Sequence, residues 1–581
     1  MTAATILYHP VTVIPPKSHY QGIQAMIDFQ RYLLIAAIAA LSLMLLVEWQ
    51  KFDTGHTAAK VAAVATNKSA PTTSNDSGDL PAIVSNDDIN AIKANAATDV
   101  KYITVQTDVF DLKIDLHGGD IVYAGLPKYT ASLEADDPFV ILENSDVRNY
   151  VAQSGLIGAN GTDTSKGRPV FTATAAEYSL DGSSDSLNVD LHYQYSDAIT
   201  VIKRFQFTRG EYLIKVEYLI DNQSDAPFQA SFFGQLKRGN SADPSVNGDG
   251  GMFAMKPFIG VAYATNEDLY KKTTFDKMQD KPIKATVNGG WIGMVQHYFV
   301  SAWVPPANSV NELSTIVTKQ NMNIARVTSA AVTIDAKSQG KISASLYTGP
   351  KDQYSLEEIS PGLDLTVDYG WLWWIAQPLF WLLTKIHSVL GNWGFAIIGV
   401  TILVKAAFFK LNQKAFTSMA NMRKFQPKLV EIKERYADDR QKQSQAMMEL
   451  YKKEKINPLG GCLPMVVQMP VFIALYWVLM ESIELRHAPF ILWIHDLSAM
   501  DPYFVLPLVM GLSMFIQQRL NPPPPDPMQA KIMQWMPIVF TFFFLFFPAG
   551  LVLYWVVNNT LSIIQQYIIT KRIEKSGLPT R

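Results

Sequence analysis

The sequence predicts a polytopic α-helical membrane protein, with six transmembrane helices of which five form a core, carrying a large antiparallel β-sandwich domain. Three observations predict it. Up to about residue 350 the chain is mixed and polar, whereas beyond Trp371 it arrives in long apolar blocks separated by charged clusters. The polar half alternates apolar and polar residues at the period of two that strands require. The charged clusters between the apolar blocks are rich in Lys and Arg at every second loop, as the positive-inside rule demands of a multi-pass chain.

With 581 residues there is room for two to four domains. The formal net charge of −2 gives no reason to expect a nucleic-acid footprint. Cys462 is the single cysteine, so an intramolecular disulfide is excluded and the β domain must fold by burial alone. Leu459, Gly460, Gly461 and Cys462 spell a lipobox, but deep inside a chain the match is accidental.

Residues 1–31 read as a cytoplasmic N-terminus, with Met26 a candidate for the true start. The uninterrupted apolar run 32–47, bracketed by Arg31 and Glu48 with Trp49 as an interfacial aromatic, predicts an N-terminal membrane anchor over 32–49. Its sixteen residues give roughly 24 Å, also compatible with a signal-peptide core. The nearest A-x-A pattern, Ala63 and Ala65, lies past Lys51 and Asp53, which favours an uncleaved anchor. Residues 50–95 read as a flexible linker.

Residues 96–350 predict the β-sandwich. Phe205 and Phe207, then Tyr212, Ile214, Val216, Tyr218 and Ile220, alternate across Arg209-Gly210 as a hairpin. A second hairpin reads at Val332 and Ile334, then Gln339-Gly340, then Ile342, Ala344 and Leu346. His117, His192 and His297 are scattered, no His or Cys pair has metal-ligand spacing, and the stretch 155–167 lacks Gly-Lys-Ser/Thr. No active site, cofactor or metal is expected, and the domain reads as a scaffold or docking module, with a sugar-binding or vestigial site as the alternative.

Residues 351–391 predict an interfacial helix outside the membrane, since four tryptophans mix with Lys385 and His387. The core follows over 392–570, with spans at 392–411, 462–480, 503–516, 532–547 and 551–569, the last two joined at Pro548-Ala549-Gly550. Placing Arg31 inside puts the β domain in the periplasm and both termini in the cytoplasm. The inner loop 412–461 holds eleven Lys and Arg, whereas 483–500 has only Arg486. The short tail 571–581 is basic. Within 412–461, Met419, Met422, Leu429, Ile432 and Tyr436, then Met447, Leu450 and Tyr451, predict an antiparallel helical hairpin. Its methionines form either an adaptable apolar surface or simply mutual packing. Lys405 sits four residues after Thr401 on one face of a span. A lysine near mid-bilayer costs about 2.5–3.5 kcal/mol, so it faces protein, water or substrate, or else snorkels to the nearby helix end.

Asn457 to Pro464 (NPLGGCLP), Gln468-Met469-Pro470-Val471-Phe472, Ala488-Pro489-Phe490, Leu492 to Ser498 (LWIHDLS) and Phe547 to Trp555 (FPAGLVLYW) resemble the signature of bacterial YidC-type insertases of the Oxa/Alb family. The resemblance covers nearly the whole chain from Met26. It implies a membrane insertase and chaperone of the bacterial inner membrane, not an enzyme, that takes nascent membrane segments through a hydrophilic, positively charged groove. It further implies Lys405, Thr401 and Gln468 in that groove, with lysine where most relatives carry arginine. Met469, Phe472, Phe543, Phe546, Tyr554 and Trp555 would line a hydrophobic slide, ordinary lipid-facing packing being the alternative for the aromatics. The implied partners are nascent membrane proteins, the Sec translocon with its accessory subunits, the bilayer, and transiently the ribosome and signal recognition machinery. The short tail argues against strong tail-mediated ribosome binding. A secondary solute transporter is the rival class, but neither paired intramembrane charges nor repeated broken helices are present.

Overall fold

The computed structural model describes residues 101–134, 136–245, 257–454, 463–521 and 527–576. The anchor 32–49, the linker and the 457–462 part of the motif lie outside the described residues.

The strands make two facing sheets, one of 11 strands and one of 9. Alternation builds them: Ile199–Thr208 buries every second residue, and Leu213–Asn222 does the same after the first residue. The two pair antiparallel in the register Val216 to Phe205 and Ile220 to Val201, so the first hairpin stands where the sequence places it. Phe205, Phe207, Tyr218, Phe232, Trp303 and Leu346 meet between the sheets.

The second expected hairpin is corrected. Val332–Ile334 pairs with Phe228–Arg238 in one sheet, whereas Ser338–Pro350 pairs with Leu213–Asn222 and Phe299–Val304 in the other. The chain turns at Lys337, in the left-handed region at φ 56°, and crosses between layers. Gly340 is no turn residue but faces Ile220 in the ladder. Two neighbouring alternating runs do not reveal which partner each chooses. The sandwich is also not wholly antiparallel, because Tyr102–Gln106 pairs parallel with Glu177–Ser179.

One lysine interrupts the apolar layer. Lys203 is fully buried, and its ammonium donates to the carbonyls of Gly118, Gly119 and Ser154 at 3.0, 2.7 and 3.1 Å on the opposite sheet. Gly118 and Gly119 adopt φ of 83° and 64°, a conformation open to glycine that turns both carbonyls inward. Beside them Arg168 bridges the buried carboxylates of Asp120 and Asp163, so the layer carries a compensated charge cluster.

A short helix α1 (Phe275–Asp280) caps one edge, and α2 (Gln353–Ile359) follows the last strand. The helical half comprises α3 (Trp373–Leu390), α4 (Trp393–Ala407), α5 (Phe409–Lys424), α6 (Gln426–Arg435), α7 (Arg440–Lys453), α8 (Leu463–Glu481), α9 (Val505–Leu520), α10 (Pro527–Phe544) and α11 (Ala549–Ser576). Helix α3 ends at Gly391 with φ 66°, and Asn392 accepts from the Phe395 N–H to start α4, which folds the two helices back on each other. Trp371, Trp373, Trp374 and Trp381 stay exposed while Ala376, Leu379, Phe380 and Leu383 pack inward.

The expected continuous span 392–411 is also corrected. The helix stops at Ala407 and the chain bends by 67° into the next. The bend falls where the apolar run gives way to Lys410, Gln413 and Lys414. Among the described residues no single helix is long and apolar enough to cross a membrane, and only the bent pair α4–α5 reaches that length and composition together. The expected hairpin contains three helices rather than two, since the first patch breaks at Phe425.

Candidate functional site

Helix α11 packs against α4, α5 and α9, and α8 closes on α5 and α11. Close packing is allowed by small residues: Gly394 faces the Phe490 ring and Gly511 the Thr541 side chain, with no room for a Cβ at either. Polar side chains are concentrated between these helices. Thr401 and Lys405 both point inward, at 0 % and 8 % exposure. The Thr401 hydroxyl donates to Ile397 O at 2.7 Å and so satisfies itself within its own helix.

Lys405 does not snorkel. Its Nζ donates to Ser562 Oγ on α11 at 2.7 Å, and that hydroxyl donates onward to Asn558 O at 2.7 Å. Among the described residues no carboxylate lies in ion-pair range of this ammonium. Nearby helices carry polar atoms that are buried and unpartnered: both amide atoms of Asn412, Nε2 of Gln468 and Oδ1 of Asn558. Gln565 donates to Phe409 O at 3.1 Å, Gln566 to Asn521 Oδ1 at 2.8 Å, and Asn559 to Ser513 Oγ at 3.1 Å. A buried polar amide without a partner costs about 1–3 kcal/mol, which makes this a surface suited to water or a polar guest. Asn412, Asn558 and Ser562 went unread in the sequence. The signal was present, since Asn558, Ser562, Gln565 and Gln566 recur at helical spacing on one face of α11.

The six residues of the expected slide divide. Phe472 stacks edge-on with Trp555 at 4.8 Å and approaches Tyr554 at 6.1 Å and Phe544 at 6.4 Å. Tyr554 is only 2 % exposed, a core residue and not a sliding surface. Met469 and Phe546 are exposed, and Phe546 pairs with exposed Phe542 at 5.7 Å, away from that cluster. Phe543 packs on Phe547 at 4.8 Å. Met419, Met422 and Met447 on the helical hairpin are half-buried.

Among the described residues, a β-sandwich is thus joined to an apolar helical bundle whose interior holds a buried cation and unpartnered amide atoms. Residues 102–382 match the family described as YidC periplasmic domain, and residues 385–576 the 60Kd inner membrane protein. Proteins named membrane protein insertase YidC are similar along almost the whole chain. That of Stutzerimonas stutzeri is 51 % identical over 95 % of this chain and 100 % of its own. That of Cellvibrio japonicus is 52 % identical over 94 % and 99 %, and that of Pseudomonas fluorescens 50 % identical over 94 % and 98 %. The chain belongs to the YidC family, and it is an inner-membrane protein with a periplasmic β domain. Among solved structures, an active YidC insertase with its first transmembrane domain resolved covers 81 % of this chain and 93 % of its own at 18 % identity and TM-score 0.38. A galactose mutarotase related enzyme from Lactobacillus acidophilus covers 42 % of this chain at 10 % identity and TM-score 0.28.

Proposed function

We propose that this chain inserts nascent membrane proteins into the inner membrane by lodging their polar segments against Lys405 and releasing their apolar segments sideways. The observation that carries this reading is the buried Lys405 ammonium, held by a neutral hydroxyl and by no carboxylate among the described residues. An ammonium so placed has unused attraction for an acidic guest, and the unpartnered Nδ2 of Asn412 and Nε2 of Gln468 offer it hydrogen bonds, while Asn558 Oδ1 is left to accept from a donor on the guest. Thr401 and Gln468 belong to the same lining. Met469, Phe543 and Phe546 give an apolar exit path, backed by the Phe472, Tyr554 and Trp555 cluster.

In this reading the chain crosses the membrane six times with both termini cytoplasmic, and 412–461 lies inside as a methionine-bearing receiving surface. The Sec translocon with its accessory subunits, and transiently the ribosome and signal recognition machinery, are its proposed partners, supported by the family membership. It makes and breaks no covalent bond in clients.

Depletion of the resident insertase and complementation with this chain tests the reading, scoring growth and protease accessibility of a single-span client with an acidic tail. Wild type and Lys405→Arg rescue, whereas Lys405→Ala and Lys405→Glu fail. Failure of a correctly expressed wild type sinks the proposal.

A further inference from the structure

Helix α11 presents one polar face to the corner between α4 and α5. Ser562 Oγ accepts from Lys405 Nζ at 2.7 Å, and Gln565 Nε2, three residues on, donates to Phe409 O at 3.1 Å. Asn558, one turn before Ser562, accepts the serine hydroxyl at its carbonyl and lies on the same face. The stretch 558–565 rises about 10 Å, a length that an extended chain covers with about three residues. Asn412 follows the corner by one turn, its N–H donating to Phe408 O, and the residue is only 1 % exposed. Helix α5, which carries Asn412, packs on both α11 and α8, and α8 carries Gln468.

Among the described residues, Asn412 leaves both Nδ2 and Oδ1 buried without a partner, Gln468 leaves Nε2, and Asn558 leaves Oδ1. Amide donors and amide acceptors are therefore left over in equal number. A site shaped for an anion leaves donors alone, and one shaped for a cation leaves acceptors alone. A peptide group carries one N–H and one C=O, so the leftover atoms match the two halves of peptide groups. Conformation then decides what fits. An α-helix satisfies its own N–H and C=O groups except in its first and last turns, whereas an extended segment presents both at every residue. A transmembrane span closes its own hydrogen bonds as a helix, so these amides offer nothing to it.

We propose that Asn412, with Gln468 and Asn558, binds the backbone of the client, so that the polar segment lodged against Lys405 is held as an extended chain and not as a helix. The amides act on peptide groups and are indifferent to side chains, while the Lys405 ammonium supplies the preference for acidic ones. This assignment rests on the insertase reading and deepens it by naming the conformation in which the substrate is taken. Amides that held only water would be indifferent to the conformation of the tail.

The test uses the full chain, purified and reconstituted in vesicles of phosphatidylethanolamine and phosphatidylglycerol, with two forms of one single-span client scored by protease protection of the tail. Both tails have the same length and the same acidic residues at the same positions, with Gly and Ser as spacers in one and Ala in the other. Ala favours the helix and Gly opposes it. Ala is also the more apolar, so hydrophobicity alone would favour the Ala tail. The expected result is insertion of the Gly/Ser tail about fivefold or more above that of the Ala tail. Asn412→Leu lowers this ratio by about threefold, the worth of one net hydrogen bond. Equal insertion of the two tails by wild type, or better insertion of the Ala tail, overturns the proposal, as does an unchanged ratio in a folded Asn412→Leu. The tail comparison is made in wild type, so it judges the proposal even where the variant fails to fold. A wild type that inserts neither tail overturns the insertase reading instead, whereas one that inserts both equally leaves that reading standing and removes only the extended backbone.

Discussion

Lys405 Nζ and Ser562 Oγ lie 2.7 Å apart between α4 and α11, both side chains buried, and the hydroxyl donates its own hydrogen bond to Asn558 O. The serine anchors the cation without neutralising it. Ser562→Ala removes the anchor and keeps the charge, so insertion of an acidic-tailed client stays within about threefold of wild type, the worth of less than one net hydrogen bond. Ser562→Asp puts a carboxylate against the ammonium, where attraction at an effective dielectric of about 20 is worth ~4 kcal/mol at 4 Å. Insertion then falls as far as with Lys405→Ala. Protease protection of the client in vesicles distinguishes the two, and equal activity of both variants refutes a role for net charge.

Phe472 contacts Trp555, Tyr554 and Phe544, the aromatic layer that joins α8 to α10 and α11. Phe472→Ala opens a cavity there, and for a half-buried ring the cost is about 2–4 kcal/mol. Phe472→Leu costs less than half as much. A fall in the detergent-solubilised melting temperature for Ala greater than for Leu is the expected result. Equal melting temperatures would place the ring outside the packed layer.

Arg168 joins two carboxylates in the sandwich, donating to Asp163 Oδ1 at 2.7 Å and to Asp120, with side-chain exposures of 1 % and 7 % for the two acids. Arg168→Ala takes the ion-pair partner from both buried acids, which keep only neutral donors in Gln153, Leu156 N and Thr162, and removes one donor to Ser154 O, for a loss of about 3–5 kcal/mol. Arg168→Lys loses the fork and recovers part of it. The urea midpoint of the β-sheet circular dichroism signal checks the order wild type, Lys, Ala.

The strands at 199–208 and 213–222 were legible because burial enforces a period of two on one face. Partner choice was not, as Val332–Ile334 shows: alternation marks a strand but carries no information about which edge it joins. In the bundle, Lys405 was conspicuous because a charge interrupts an apolar run, whereas Ser562 and Asn558 are small polar residues that single spans tolerate. Their meaning comes from facing Lys405, a relation between segments over 150 residues apart. The family resemblance implied Tyr554 for the slide, yet its neighbours bury it. The partner of Glu481 is equally invisible along the chain, since Lys351 of the sandwich lies 130 residues before it.

The contact of His297 with Met480 O gives the junction between the β-sandwich and α8 a pH dependence. Burial, followed by the nearby positive charge of Lys351 and then of Arg486, pulls the imidazole down to about 3 against the support of the Met480 carbonyl and Asp243. The ordinary value of an exposed histidine is about 6.5. With the folded value below the unfolded one, the released state binds more protons between them, so the contribution of the ring is complete above about pH 6.5 and is lost progressively as pH falls toward 3. At pH 4.5 the loss reaches about 2–3 kcal/mol, two units below the unfolded value. The distance distribution between spin labels on Val147→Cys in the sandwich and Val389→Cys in α3, both exposed and placed in a Cys462→Ser parent, therefore broadens between pH 7.5 and 4.5. His297→Gln keeps an N–H donor for the carbonyl but does not titrate, so it reduces that broadening. Equal broadening in parent and His297→Gln would assign the acid response to other groups and leave the histidine a neutral spacer.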